Sequence, residues 1–225
     1  MADPALNIDA PTTLLDLDRL QATSLKTDPY EYLVVPNFVR PEALGAVIAD
    51  FPDIRSTGSI PPSELDIHGA FRQLLAEMDG PQFQALIEEK FGVDLRDRPT
   101  MFTIRGNCDP RNGKIHTDTE SKIITVLLYL NQQWEADGGR LRILRGPDDL
   151  DDWVEEVPPH GGTLLVFKRS TNSWHGHEPF EGQRRAIQMN WVTDDAVVRR
   201  EQSRHRLTAF LKRLNPFERG KVHAE

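Results

Sequence analysis

The stretch that most constrains the fold of this chain is residues 173–191, SWHGHEPFEGQRRAIQMNW. It sets a histidine beside an aromatic residue, breaks at Pro179 and Gly182, and then runs as a strand from Arg184 to Trp191. Side chains alternate across a strand, so the two neighbouring arginines must point to opposite faces. Arg185 shares its face with Ile187, Met189 and Trp191, which need apolar cover. Arg184 shares the other face with Ala186, Gln188 and Asn190, a small and polar set suited to lining a cavity. An arginine turned inward from a sheet needs a carboxylate or phosphate to satisfy its planar fork. His175 on the preceding segment is a metal-capable neighbour, so the pattern predicts an anion held beside a metal.

The rest of the chain supplies a β-rich frame for that strand. Up to about residue 97 the apolar spacing is mostly helical. Leu14, Leu15, Leu17 and Leu20 form a short amphipathic piece. Pro41 opens a helix carrying Leu44, Val47, Ile48 and Phe51, and two more follow around Phe71, Leu74, Leu75 and Met78, and around Phe83, Leu86, Ile87 and Phe91. The exception is YEYLVVPNF at residues 30–38, which reads as an edge strand ending at a proline. From Thr100 the period changes to that of strands: 101–105, 122–131, 140–144, 151–157 and 163–168, with 106–114 as a turn-rich loop. About seven or eight short strands with helices to cover one face predict a mainly β domain with bracing helices. Three segments of one structural domain are expected: 1–97, a core over 98–193, and a basic C-terminal helix within 194–225.

Composition removes several function classes. The net charge is −8 with 28% charged residues, which argues against a nucleic-acid binder. One cysteine, Cys108, excludes internal disulfides and Cys-based zinc sites. The N-terminus has no basic region followed by an apolar run, and no apolar stretch approaches the ~20 residues that span a bilayer. A soluble, cytoplasmic protein without membrane partners is expected.

Within the β region, His116 and Asp118 lie two apart, so on an extended segment both project to one face. With His175 they would form a two-histidine, one-carboxylate set that leaves adjacent coordination sites open, a nitrogen and oxygen donor set suited to Fe(II). His177 shares a face with His175 and is a second candidate for the distal ligand, and Arg185 is the rival of Arg184.

The combination resembles the Fe(II)/2-oxoglutarate-dependent dioxygenases, in their prolyl-hydroxylase-like branch. It is carried by His116-Thr-Asp118, Tyr129-Leu130-Asn131 with Trp134, residues 138–143 (GGRLRI), residues 164–167 (LLVF), and His175 with Arg184. The resemblance implies a double-stranded β-helix, or jelly-roll, core. It implies Fe(II) on His116, Asp118 and His175, with Arg184 and Tyr129 on the far carboxylate of 2-oxoglutarate as co-substrate. Dioxygen would be consumed, 2-oxoglutarate converted to succinate and CO₂, and a C–H bond hydroxylated in a prolyl or other amino-acid residue or a small molecule. Leu127, Trp134 and Trp174 are expected to wall the cavity, with Arg105 near the substrate or the near carboxylate and residues 106–114 as a lid. Two other readings remain at this point. One is a non-catalytic sensor. The other is a nucleic-acid demethylase, whose second arginine would fall at Asn190.

Overall fold

The computed structural model describes residues 13–199. In chain order the elements are α1 (Leu17–Ala22), β1 (Tyr32–Val35), α2 (Pro41–Ala49), a 3-10 turn (Pro62–Glu64), α3 (Gly69–Met78), α4 (Pro81–Phe91), β2 (Thr100–Cys108), β3 (Lys122–Tyr129), β4 (Leu141–Leu144), β5 (Trp153–Val157), β6 (Leu164–Lys168), β7 (His175–His177) and β8 (Gly182–Val192). Residues 195–199 begin a further helix, and the basic turns expected beyond it lie outside the described residues.

The helix ends follow local chemistry. Asp16 caps α1 by accepting a hydrogen bond from the Arg19 backbone N–H at 3.0 Å. Pro41 and Pro81 open α2 and α4, where a missing N–H costs nothing. Gly92 closes α4 in the left-handed conformation, with φ of 58°.

Two antiparallel sheets form the frame, five strands in the order β1-β6-β3-β8-β2 and three in the order β5-β4-β7. They make a double-stranded β-helix. Strand alternation divides the five-stranded sheet cleanly. Ile124, Val126 and Leu128 of β3, Val166 of β6 and Ile187, Met189 and Trp191 of β8 join the main core, with Phe71, Leu74, Phe83 and Ile87 from the helices. The opposite face, with Tyr129, Leu165, Phe167 and Ala186, meets Leu141, Ile143 and Val157 of the smaller sheet in a second core. The site opens from this second, inter-sheet layer. The edge strand expected over residues 30–38 is β1, which pairs with β6.

The predicted loop over residues 106–114 differs. Its first three residues continue β2, which pairs with β8 as far as Cys108↔Gly182 through an irregularity between Arg105 and Asn107. The physical reason lies outside the strand: Asn107 donates to the Ile54 carbonyl at 2.7 Å, and the incoming segment 54–60 bridges Ile60 to Ile104 and Thr57 to Asn107. Tertiary contacts hold a turn-rich sequence extended. Among the described residues, no helix is long and apolar enough to cross a membrane.

Gly106 lies so close to Ile54 that an added Cβ would stand 2.6 Å from the isoleucine Cβ and 2.7 Å from its backbone oxygen. Gly106→Ala should therefore destabilise by about 1–3 kcal/mol, the usual cost of overpacking. Gly45 in α2 has open space at the same position, so Gly45→Ala should stabilise by about 0.5–1 kcal/mol. Urea unfolding of the two variants reads both signs.

Candidate metal and anion site

His116 and Asp118 stand on the extended segment between β2 and β3. His116 is tied to His175 by a two-way backbone bridge, N–H to O in each direction at 3.0 Å. That pairing brings the two imidazoles to 4.3 Å between centroids. The ligand atoms of His116, Asp118 and His175 all lie within 4.8 Å of one another.

Each histidine is fixed by a neighbouring carbonyl. His116 Nδ1 is 2.8 Å from the Lys114 carbonyl, and His175 Nδ1 is 2.9 Å from that of Ser173. A carbonyl can only accept, so Nδ1 carries the proton and Nε2 presents its lone pair. Burial pushes the His175 imidazole down to about 4, against the opposing pull of Asp118, which keeps it neutral at ordinary pH.

Asp118 is buried and engaged on both oxygens. Oδ1 accepts from Lys122 Nζ at 2.6 Å, and Oδ2 accepts from the Thr125 hydroxyl. Thr125 in turn accepts from Asn190 Nδ2 at 2.7 Å, and Asn190 Oδ1 accepts from Gln188 Nε2 at 3.1 Å. A polarised chain thus runs from β8 through β3 to the carboxylate. Burial pushes Asp118 upward, but Lys122, His175 and these hydrogen bonds outweigh it and hold the carboxyl below its usual range.

Arg184 points into the same inter-sheet space, as the alternation of β8 requires. Its Nε donates to the Gly139 carbonyl at 2.7 Å, and one terminal nitrogen lies 3.4 Å from the Tyr129 hydroxyl. No carboxylate pairs with it among the described residues. Arg185 leaves by the other face and lies over the Phe51 ring at 5.1 Å. A cavity of about 130 Å³ joins these groups, lined by the three candidate ligands with Arg105, Lys122, Thr125, His177, Arg184 and Gln188, and by Leu127, Leu141, Phe167 and Ala186 as its apolar part.

Some expected residues sit elsewhere. Tyr129 is fully buried under Arg184, its ring 5.2 Å from the guanidinium carbon, and is not among the residues lining the cavity. Burial raises its phenol, so the hydroxyl stays neutral and accepts from the Arg184 guanidinium. Trp134 does not wall the cavity: its indole N–H is used by the Gly138 carbonyl at 3.1 Å and its ring packs on Phe180 at 4.7 Å. Trp174 is absent from the lining too, and Leu141 and Phe167 supply the walls instead. His177 faces the cavity near Arg184 but lies outside the ligand cluster. Burial and then Arg184 push it down to about 4.

Lys122 and Thr125 have no role in the sequence-based expectations beyond their strand. The signal for Thr125 was there, as a hydroxyl on the cavity face of an otherwise apolar strand. Lys122 reaches Asp118 through the turn in which its N–H bonds the Thr119 carbonyl at 3.0 Å, and periodicity carries no sign of that turn.

Residues 107–193 match the model of the 2OG-Fe(II) oxygenase superfamily. No curated protein matches the chain in sequence. The fold is similar to that of a Pseudomonas putida prolyl-4-hydroxylase, at 22% identity over 82% of this chain and 94% of that one, with a TM-score of 0.53. It is also similar to a prolyl 4-hydroxylase from Phytophthora capsici, at 16% identity over 84% and 68% of the two chains, with a TM-score of 0.54.

Two outcomes follow from the polar chain and the buried imidazoles. Thr125→Val removes a donor to Asp118 and strands the Asn190 amide, so stability should fall by about 1–3 kcal/mol. Mn(II) affinity should fall roughly 10–100-fold, the usual effect of losing a ligand's hydrogen-bond partner, measured by calorimetry. His175 and His177 have folded values of about 4 against 6.5 for the free side chain. The unfolded chain therefore takes up protons first, and stability of the metal-free protein should drop as pH falls from about 6.5 to about 4. Denaturant unfolding at several pH values checks the direction.

Proposed function

We propose that this chain, whose residues 107–193 match the model of the 2OG-Fe(II) oxygenase superfamily, is an Fe(II)- and 2-oxoglutarate-dependent oxygenase. In this reading it hydroxylates a C–H bond of a prolyl or other amino-acid residue, or of a small molecule. One observation carries it: the ligand atoms of His116, Asp118 and His175 converge within 4.8 Å on a cavity into which Arg184 also projects without a carboxylate partner among the described residues.

The residues present fit the group. Two imidazoles with Nε2 directed away from their carbonyl anchors, and one carboxylate oxygen, make a facial donor set for Fe(II). Arg184 offers its terminal nitrogens to the far carboxylate of 2-oxoglutarate, and Tyr129 holds the guanidinium from behind. When bound, Fe(II) with 2-oxoglutarate and dioxygen supplies oxidising power that couples decarboxylation to succinate and CO₂ with hydroxylation.

The chain's own residues do the rest. Lys122, Thr125 and the amides behind Thr125 keep Asp118 ionised and oriented. The Lys114 and Ser173 carbonyls fix the imidazole tautomers. Leu127, Leu141, Phe167 and Ala186 exclude water from part of the cavity, so charge interactions there are stronger than at the surface.

His175→Ala should abolish binding of Fe(II) or Mn(II), whereas His177→Ala should leave most of it. Arg184→Ala removes one partner of a buried charge pair, a loss of about 3–5 kcal/mol, so 2-oxoglutarate should weaken by roughly two to three decades. Arg185→Ala should change it little, and Mn(II) affinity should survive in both. Calorimetric titration into the Mn(II) protein measures these affinities. Anaerobically reconstituted protein exposed to air should form succinate from 2-oxoglutarate even without added substrate, and a mass-shift screen over amino acids, peptides and cell extract should show a gain of one oxygen. No iron- and oxygen-dependent succinate under any of these conditions would remove the oxygenase reading.

A further inference from the structure

A second cavity of about 230 Å³ adjoins the candidate centre and shares Arg105, Lys122 and Gln188 with it. Its remaining lining includes Ser59, Thr103 and Asn190, with Met101 and Val197 as its apolar part. Among the described residues, none of those lining it is a carboxylate. Arg105 stands on β2 opposite Ala186 of β8, on the cavity side of the sheet. Its Nε donates to Ser59 Oγ at 2.9 Å, and no acidic side chain pairs with it among the described residues. Burial first, and then the nearby Arg184, work against its charge.

The charges do not balance within the joined space. Among the described residues, three cationic side chains, Arg105, Lys122 and Arg184, face one carboxylate, Asp118. A divalent metal and the dianion 2-oxoglutarate cancel each other and leave that surplus in place. Packing like charges together without counter-charge is unfavourable, and more so away from water. Arg184 lines the first cavity alone, whereas Arg105 and Lys122 line both. Lys122 is paired with Asp118 at 2.6 Å, and Arg184 faces the co-substrate. The cation left without a counter-charge among the described residues is therefore Arg105, at the boundary between the candidate iron site and the second cavity.

We propose that Arg105 and Lys122, with Ser59 and Gln188, form an oxyanion subsite for the molecule that is oxidised, and that this molecule is a small acid carrying a carboxylate or a phosphate. The proposal rests on the oxygenase reading and narrows it. The second cavity suits a small molecule, and an anionic group held at its boundary would direct the rest of the substrate past Gln188 toward the cavity lined by His116, Asp118 and His175. In this reading Arg105 serves recognition.

The test uses wild type, Arg105→Met and Arg105→Lys, with thermal unfolding to show that each is folded. Into protein saturated with Mn(II) and 2-oxoglutarate, inorganic phosphate and acetate are titrated separately by calorimetry. At least one should bind wild type, weaken about tenfold or more in Arg105→Met, roughly 1.4 kcal/mol, and recover partly in Arg105→Lys. Phosphate alone would name a phosphate-bearing substrate, and acetate alone a carboxylate. Products gaining one oxygen from a small-molecule extract should likewise carry that group and be lost in Arg105→Met. Binding of neither anion, or equal binding to Arg105→Met, overturns the proposal. So does a loss of 2-oxoglutarate affinity in Arg105→Met as large as that in Arg184→Ala, which would assign Arg105 to the co-substrate and leave the oxygenase reading intact. Wild type that binds Mn(II) but no 2-oxoglutarate would instead defeat the oxygenase reading itself. The anion titrations into the Mn(II) protein would still decide the subsite.

Discussion

The structure depends on one strand serving two environments at once. On β8, Ile187, Met189 and Trp191 go to the helix-covered core, and Arg184, Ala186 and Gln188 go to the space between the sheets. A slip of one residue would put a guanidinium into the apolar core and expose three large apolar side chains to the cavity. The register is held on both sides, by β2 and β3. Arg185, displaced from the cavity by this alternation, is used against Phe51 at the opposite surface. The position of Arg184 is thus set by the burial of its neighbours.

The polar groups of the site show the same economy. Asp118 is buried, and a lone buried carboxylate would simply take up a proton. Lys122 and the hydrogen-bonded chain Gln188, Asn190, Thr125 prevent that. Every link of that chain lies on β3 or β8, which are adjacent in the sheet, so forming the ladder also forms the support of the carboxylate. The histidines obtain their orientation from backbone carbonyls, which fold with the segment itself. Little is left to side-chain chance, which suits a site whose groups must be placed before a ligand arrives.

How much of this the sequence shows depends on the range of the interaction. The faces of β8 and β3, the helices with their proline starts, and the same-face placement of His116 and Asp118 follow from local period, and they were legible. The convergence of His175 on them was legible as a pattern through a family resemblance, since nothing local brings residues 116 and 175 together. The extension of β2 through Cys108 was not, because a Gly-Asn sequence reads as a turn and only the contact with Ile54 and Thr57 makes it a strand. The tryptophans misled for a related reason. Trp134 and Trp174 lie near the site in sequence, but Trp134's indole N–H is taken up by a backbone carbonyl before it reaches the cavity. Arg105 looked ambiguous because its partner, Ser59, comes from the distant segment between α2 and the 3-10 turn.

The pair His175 and His177 shows why same-face spacing alone cannot assign a ligand. Both are buried, both line the cavity, and both have Nδ1 anchored to a carbonyl. Two residues along a strand are nonetheless about 7 Å apart. His175 stands opposite His116 in the bridge, and so within reach of Asp118. His177 pairs with Leu141 of β4, and the Gly113 backbone crosses so close to its ring that a Cβ there would stand 2.4 Å away. Its charged neighbours are Arg184 and Arg105, so a cation placed there would meet repulsion in place of a carboxylate. One ladder step therefore moves an identical side chain from a place that attracts a metal to one that attracts an anion, and that step divides the two halves of the site.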